Sequence, residues 1–262
     1  MIEPAPEDIR TIPAATLVIY RHAAAGGPAE LLMVQRAKEM RFAGGMAVFP
    51  GGRIDPADRE LAARIAPELA DDPDPEQAAA RVAAVRETLE ETGLLIGITQ
   101  PVTADDARAA RILLTQEGAL GPVLDAYGWT LALDRLEPFA RWCPRRDGAF
   151  DTRFYLADLG TGQVELAVDA TENTRLFWTS AAEALAMADR GEIGVIFPTR
   201  RNLERLALFD SFAATAAHAR TIPVELVYSF LAEIDGEPHL CIPEGHGYPV
   251  TRESMKTVRR GL

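Results

Sequence analysis

Three glutamates lie close together near residue 90 of the sequence, at Glu87, Glu90 and Glu91. On a helix that turns by ~100° per residue, all three carboxylates fall within an arc of about 100°. Like charges at these spacings repel one another by about a few tenths of a kcal/mol per pair, so the glutamates do not help the helix to form. A cation should offset this repulsion. Arg86 can reach Glu90, but one guanidinium cannot neutralise three carboxylates.

Oxygen-rich carboxylate clusters are the ligands that hard divalent cations require. Mg²⁺ commonly combines a few carboxylates with water and the phosphates of a substrate. The three glutamates therefore indicate a magnesium site. A solvated acidic helix face is the alternative, and composition alone does not remove it.

The strongest helical pattern in the sequence, Glu76 to Thr92, must position these carboxylates, and Gly93 is a natural stop for it. The face opposite the acids is apolar, which predicts that it packs on a core. That face carries Ala78, Val82, Val85 and Leu89. Upstream, Met46 to Phe49 reads as a short strand that ends in a tight Pro-Gly-Gly turn.

The remaining elements alternate between strands and helices, which predicts a mixed α and β core. Strands are expected at Thr16 to Arg21, Leu31 to Arg36, Leu136 to Trp142, Arg153 to Asp158, Val164 to Val168, Arg175 to Trp178 and Leu226 to Ile234. Helices are expected at Asp58 to Leu69, Asp105 to Glu117, Pro122 to Tyr127, Ser180 to Arg190 and Arg200 to Ala219.

The composition excludes several classes of function. A chain of 262 residues with a net charge of -12 is a poor partner for nucleic acid or an anionic membrane surface. A phosphate-bearing substrate would need metal ions to screen it. Two distant cysteines, no secretion signal and no long apolar run make the cytoplasm the expected compartment, with no membrane partner.

The run Arg-Glu-Thr-Leu-Glu-Glu-Thr-Gly-Leu at residues 86–94 resembles the Arg-Glu-x-x-Glu-Glu-x-Gly signature of the Nudix hydrolases, and a Gly-Gly turn at Gly51 and Gly52 precedes it. The resemblance implies an α/β/α sandwich with a mixed sheet. It also implies hydrolysis of a diphosphate linkage in a nucleoside diphosphate derivative, assisted by Mg²⁺ or Mn²⁺. The corresponding domains are a Nudix domain at residues 14–190 and a C-terminal helical extension at residues 191–262, packed on the core.

The resemblance also implies roles for individual residues. Glu90 and Glu91 match metal ligands, and Glu87 matches a glutamate that binds metal or orients the attacking water. Arg86 matches an arginine that braces the acids through hydrogen bonds, a role that suits its planar fork. Gly52 matches a loop glycine whose backbone carbonyl can complete the coordination of the metal.

Two departures from the family pattern stand out. The Arg-Glu pair follows the second glycine by 14 positions in the family but by 34 positions here, so about 20 residues are inserted, roughly from Pro56 to Pro75. The family also has a glutamate eight positions before the arginine. That position is Ala78 here, with Glu76 as the nearest acid.

Residues upstream of the turn resemble a motif of Nudix enzymes that cleave coenzyme A. Arg36, Arg41, Gly45 and the Phe-Pro-Gly-Gly block, which includes Gly51, match it in type and spacing. Two positions with hydroxyl side chains in the motif are Val34 and Ala37 here. The arginines would supply fixed positive charge for phosphates, or they are ordinary surface arginines beside a hairpin. If coenzyme A is the substrate, removing them should raise its KM far more than that of ADP-ribose.

Further segments resemble the coenzyme A diphosphatases of eukaryotic peroxisomes and mitochondria, which also carry a long insert. These segments are Phe150 to Leu156 and Pro198 to Leu203. The implied substrate is coenzyme A or acyl-coenzyme A, and the products are 3',5'-ADP and (acyl-)4'-phosphopantetheine. The alternatives are a hydrolase of ADP-ribose, dinucleotides or another nucleoside diphosphate, and a Nudix-fold binding or regulatory module without turnover.

Residues outside these motifs supply further candidates. Glu172 is a candidate for a further acid at the site, with a plain loop glutamate as the alternative. Tyr248 either borders a ligand pocket or packs a Gly- and Pro-rich tail on the core. The Ala-rich helix from Asn202 to Ala219 is either core packing or the surface of a homodimer. The four histidines form no zinc-binding pair.

Overall fold

A mixed sheet of eight strands forms the centre of the molecule in the computed structural model, which describes residues 9–23, 26–38, 43–66, 74, 76–159 and 173–258. Its strands are β1 (Ile12–Arg21), β2 (Glu30–Arg36), β3 (Ala47–Val48), β4 (Gly51–Arg53), β5 (Glu137–Trp142), β6 (Phe150–Asp158), β7 (Asn173–Thr179) and β8 (Leu226–Val227). The order is β3-β2-β1-β6-β5-β8, while β4 also pairs with β1 and β7 also pairs with β2.

Helices cover both faces of this sheet. One layer contains α1 (Pro56–Ile65), α2 (Gln77–Thr92), α3 (Ala104–Glu117) and α4 (Leu120–Tyr127), and these helices share a buried apolar core with the sheet. The other layer contains α5 (Ala181–Asp189), α6 (Phe197–Leu206) and α7 (Phe212–Ala219), and it encloses a second core. The expected α/β/α sandwich is confirmed.

Strand β1 lies at the middle of the sheet and supports both cores. Its alternate residues point to opposite faces: Leu17 and Ile19 lie in the core with α2, whereas Val18 and Tyr20 lie in the other. β1 pairs in parallel with β6 and antiparallel with both β2 and β4. The loop that carries the two glycines is thereby held against the centre of the sheet.

The apolar pattern predicted one helix from Arg200 to Ala219, and this prediction is wrong. α6 ends at Leu206, and a new helix begins at Phe212. The break has a local cause, because the Ser211 side chain accepts a hydrogen bond from the Ala214 amide and so caps the start of α7. Asn202 and Leu203 are fully buried, so the inner face of α6 is core packing.

The prediction of a helical C-terminal extension is correct only as far as Ala219. Beyond it lie β8 and a separate three-stranded sheet of β9 (Phe230–Ile234), β10 (Glu237–Cys241) and β11 (Arg252–Ser254). The strand predicted from Leu226 to Ile234 is therefore two strands, because β8 joins the edge of the large sheet beside β5, whereas β9 pairs with β10.

Two further predicted elements extend into residues outside the described part of the chain. The helix predicted from Asp58 to Leu69 starts earlier, with Pro56 at its first turn, and is helical to Ile65, while residues 67–69 lie outside the described part. The strand predicted from Val164 to Val168 also lies outside it. Among the described residues, no helix is both long enough and apolar enough to cross a membrane.

Candidate functional site

Helix α2 is buried along most of its surface and ends one residue beyond the acidic cluster. Gly93 adopts a left-handed conformation with a φ of 76° and donates its amide to the Leu89 carbonyl, which terminates the helix. The buried hydroxyl of Thr88 donates to the Ala84 carbonyl at 2.7 Å, so this polar group is hydrogen-bonded inside the core. The last turn of α2 is therefore a rigid support for the glutamates.

Arg86 is almost completely buried and joins the acids of two helices. Its Nε and Nη2 atoms donate to the two carboxylate oxygens of Asp58, each at 2.9 Å. Nη2 also donates to the Arg53 carbonyl at 2.9 Å. Nη1 donates to Glu87 Oε1 at 3.0 Å and to Glu90 Oε2 at 3.1 Å. One guanidinium thus ties α1, β4 and two glutamates of α2 into a single network.

Glu91 lies on the other side of the cluster and is also buried. Its Oε2 atom accepts a hydrogen bond from the Gly51 amide at 3.0 Å. Its Oε1 atom lies 3.8 Å from Nη1 of Arg36, the last residue of β2. The structure therefore brings the Gly-Gly turn, one arginine of the upstream motif and the third glutamate to the same place.

The backbone at Gly52 passes directly over Glu87. A β-carbon at residue 52 would overlap the carboxylate carbon and both carboxylate oxygens of Glu87. Gly51 is equally constrained on its other side, because a β-carbon there would overlap the Ala15 carbonyl and the Thr16 backbone in β1. Only a residue without a β-carbon allows the loop to lie between β1 and the acidic cluster.

The electrostatics of the cluster favour a bound cation. Burial raises the pKa of Glu87 to about 8; Arg86 opposes this shift, and the charges of Glu90 and Glu91 add to it. Burial likewise raises the pKa of Glu90, against the effect of Arg86. Arg86 alone therefore leaves Glu87 with a strong tendency to hold a proton, and a second cation would favour its ionised form.

The donor set suits a hard divalent ion, although the side chains do not already form a metal cage. In the part of the chain that the structure describes, no three acidic, His or Cys side chains are arranged to hold a metal ion. Arg86 occupies oxygens of Glu87 and Glu90, and Gly51 occupies one oxygen of Glu91. Carboxylates and a backbone carbonyl are the oxygen ligands that Mg²⁺ prefers, so the residue types of the cluster fit this ion.

The structure describes only some of the other residues that the sequence analysis named. Gly45 lies in the turn between β2 and β3 with a φ of 73°, and its amide lies 3.2 Å from the Arg36 carbonyl. This turn fixes the end of β2 beside the cluster. Arg41 and Glu172 lie outside the described residues. Glu76 binds Arg59 at 3.0 Å, at the far end of α2 from the cluster.

Sequence reasoning missed two residues at the site. The acid that holds Arg86 is Asp58, not a residue eight positions before the arginine. The same family pattern counted forward from Gly52 places this acid six positions later, at Asp58. That count would have found it. Arg111 of α3 donates from Nε to the Glu90 carbonyl at 2.9 Å, and no motif marked it.

Tyr248 packs the tail on the core, which was one of its two interpretations. Its buried hydroxyl accepts a hydrogen bond from Trp142 Nε1 at 2.6 Å and donates one to Asn202 Oδ1 at 2.8 Å. Each described partner of this hydroxyl is itself buried. Burial raises the pKa of Tyr248 to about 12, so the hydroxyl stays protonated at neutral pH.

The chain is similar to several known proteins of solved structure. No family model matches the chain. A crystal structure of a Nudix hydrolase from Alicyclobacillus acidocaldarius is 30% identical, with a TM-score of 0.66, over 80% of this chain and 97% of that one. The Nudix domain of Shewanella oneidensis NrtR, complexed with ADP ribose, is 15% identical with a TM-score of 0.42, over 83% of this chain and 94% of that one. A C. elegans Ap4A hydrolase is 20% identical with a TM-score of 0.36, over 69% of this chain and 88% of that one.

Proposed function

The chain belongs to the Nudix hydrolases, and from this premise we propose that it cleaves the diphosphate linkage of coenzyme A or acyl-coenzyme A. The products would be 3',5'-ADP and 4'-phosphopantetheine or its acyl form. The observation that carries the hydrolytic part is the cluster of Glu87, Glu90 and Glu91, braced by Arg86. The spacing of Arg36, Gly45 and the Gly-Gly turn supports the choice of coenzyme A, because it matches the motif of enzymes with that substrate.

The side chains of the cluster have distinct parts in this proposal. Glu87, Glu90 and Glu91, with the Gly52 carbonyl, would hold Mg²⁺ or Mn²⁺. The metal would screen the negative charge of the diphosphate and lower the pKa of a bound water. Arg86 keeps Glu87 and Glu90 in place through its two hydrogen bonds from Nη1.

Glu87 would orient the attacking water and accept its proton, because Arg86 Nη1 holds its carboxylate in place beside the Gly52 backbone. The water oxygen forms a new bond to phosphorus while the bond from that phosphorus to the bridging oxygen breaks in line. The bridging oxygen leaves with the second phosphate. One diphosphate and one water thus give two phosphate monoesters.

The test is a substrate panel with the purified protein and Mg²⁺ or Mn²⁺. The panel contains coenzyme A, acyl-coenzyme A, ADP-ribose, NADH and diadenosine polyphosphates, and products are separated by chromatography. The variant Glu91→Gln removes one carboxylate charge at the site. Glu60→Gln, on the exposed face of α1, is the matched control.

We expect 3',5'-ADP from the coenzyme A compounds alone, with full activity in Glu60→Gln and none in Glu91→Gln. Both variants should keep the circular dichroism spectrum of the parent. Cleavage of another diphosphate in place of coenzyme A would overturn the substrate proposal and leave the role of the cluster intact. Full activity in Glu91→Gln would overturn the role of the cluster.

A further inference from the structure

Arg36 has a defined position beside the acidic cluster. It lies on the same face of β2 as Leu32, whose side chain is buried in the core with α2. Its amide donates to the Met46 carbonyl at 3.0 Å, and its carbonyl accepts from Gly45. The turn between β2 and β3 therefore fixes its backbone from both sides. The guanidinium is directed toward α2, and only 14% of the side chain is exposed.

The guanidinium of Arg36 lies beside the carboxylate of Glu91. Its Nη1 atom lies 3.8 Å from Glu91 Oε1, while the other oxygen of Glu91 is bound by the Gly51 amide. Glu91 is a proposed metal ligand. A substrate oxygen bound to the same ion would therefore lie close to Glu91, and so close to Arg36. Arg36 therefore approaches the one glutamate of the cluster for which Arg86 shows no hydrogen bond among the described contacts, and it lies beside the proposed metal site.

From this contact we infer that Arg36 binds the scissile diphosphate itself and does not read the 3'-phosphate that distinguishes coenzyme A from dephospho-coenzyme A. The inference rests on the proposed function. A guanidinium beside the diphosphate stabilises the charge of any substrate with that linkage. Arg36 then contributes to catalysis and leaves the choice of substrate to other residues. This differs from the expectation that its removal would affect coenzyme A more than ADP-ribose.

The test compares substrates that share the diphosphate and differ in the 3'-phosphate. Arg36→Gln removes the charge, and Arg36→Lys keeps a charge without the planar fork. Arg175→Gln is the matched control. Arg175 is an exposed residue of β7 that pairs in register with Gln35. Its guanidinium lies over the ring of Phe177, which belongs to the core on the opposite face of the sheet from α2. Each protein is assayed with coenzyme A, dephospho-coenzyme A and ADP-ribose.

We expect Arg36→Gln to lower kcat/KM by about 10- to 100-fold, by a similar factor for every substrate that the parent cleaves, as the loss of a charged hydrogen bond predicts. Arg36→Lys should recover part of this loss, and Arg175→Gln should match the parent. A loss confined to coenzyme A, with dephospho-coenzyme A unaffected, would overturn the inference. An Arg36→Gln variant that behaves like Arg175→Gln would also overturn it.

A binding measurement separates this inference from the proposed function. Methylenediphosphonate is a diphosphate analogue that water does not cleave, and calorimetry gives its affinity for the Mn²⁺-loaded protein. We expect Arg36→Gln to weaken this binding by about tenfold or more. Mn²⁺ affinity without a diphosphate, measured by electron paramagnetic resonance of the free ion, should not fall, because the variant removes a positive charge beside Glu91.

The outcomes of this measurement are distinct. If the parent cleaves none of the three substrates and Arg36→Gln still weakens methylenediphosphonate binding, the proposed substrate falls and the inference stands. If methylenediphosphonate binds equally to the parent and to Arg36→Gln, the inference falls whichever substrates are cleaved.

Discussion

Gly52 lies so close to Glu87 that a β-carbon at residue 52 would occupy the position of the Glu87 carboxylate. The variant Gly52→Ala must displace either the glutamate or the loop. We expect the variant to fold and its kcat to fall by about 100-fold, because a small displacement of a catalytic group commonly lowers the rate by that factor. Activity assays and Mn²⁺ titration check this expectation.

Gly121→Ala is the control for the glycine substitution. Gly121 lies in α4, where a β-carbon would make only ordinary contacts with Arg64 and Leu61. Alanine should leave turnover unchanged, because Gly121 lies in α4, away from the acidic cluster. Parental activity in Gly52→Ala would show that the close approach to Glu87 has no role in the reaction.

Asp58→Asn should destabilise the fold and lower turnover, although it leaves the three glutamates in place. Asp58 is 1% exposed and binds Arg86 with both oxygens. Loss of its charge leaves a buried guanidinium short of a partner, which costs about 3–5 kcal/mol. Urea denaturation should show that loss, and turnover should fall because Arg86 no longer holds Glu87 and Glu90 in place.

Asp55→Asn is the matched control for this charge. Asp55 also approaches Arg86, at 3.5 Å, but its side chain is 51% exposed. Pairs of exposed charges contribute about 0–1 kcal/mol, so this variant should stay close to the parent. Equal stability of the two variants would contradict the importance of the buried pair.

Asp74 should make the stability depend on pH in acid. Burial alone would raise its pKa, but the hydrogen bond and charge of Arg153, with the charge of Arg141, outweigh burial and lower the pKa of Asp74 below its ordinary value. Because the folded pKa is lower than the unfolded one, the stabilisation is complete above the unfolded pKa of about 4. It is lost as the pH falls through the folded pKa.

We therefore expect Asp74→Asn to be less stable than the parent at pH 7 by about 1–3 kcal/mol, the range for hydrogen bonds to charged groups. The difference should shrink as the pH drops below about 4. Urea denaturation at a series of pH values measures it. A difference that stays constant down to pH 2 would show that the Asp74 charge is not what stabilises the fold.

Tyr248→Phe distinguishes packing from ligand binding. The hydroxyl accepts from Trp142 and donates to Asn202, and all three side chains are buried. Without it, two buried polar groups lose a partner, at a cost of about 1–3 kcal/mol. Thermal unfolding should show a lower Tm, with kcat/KM unchanged. A large fall in kcat/KM at an unchanged Tm would instead place Tyr248 in the substrate site.

Local chemistry made α2 and the Gly-Gly turn predictable. The apolar spacing, the glycine at the end of the helix and the Pro-Gly-Gly run each act over a few residues. Asp58 was missed because its contact with Arg86 spans 28 positions, across a segment whose length departs from the family pattern. The break before α7 had a local signal in Ser211, but the amphipathic pattern before it and the alanine-rich run after it concealed it.

The contact of Arg36 with Glu91 could not be predicted from spacing. It depends on the register of β2, on the turn at Gly45 and on the packing of α2 over the sheet. The motif predicted an arginine near the phosphates of a substrate. Only the three-dimensional arrangement places it beside a particular carboxylate.

The parallel pairing of β1 with β6 also constrains the order in which the protein can fold. Nine residue pairs join these strands, from Ile12 with Phe150 to Tyr20 with Asp158. During synthesis, β1 leaves the ribosome more than 100 residues before its partner β6. Pairings of such long sequence separation form slowly, because the intervening chain must first be ordered. Until then, the backbone edge of β1 that pairs with β6 is open, and a nascent chain at this stage is a candidate for chaperone binding.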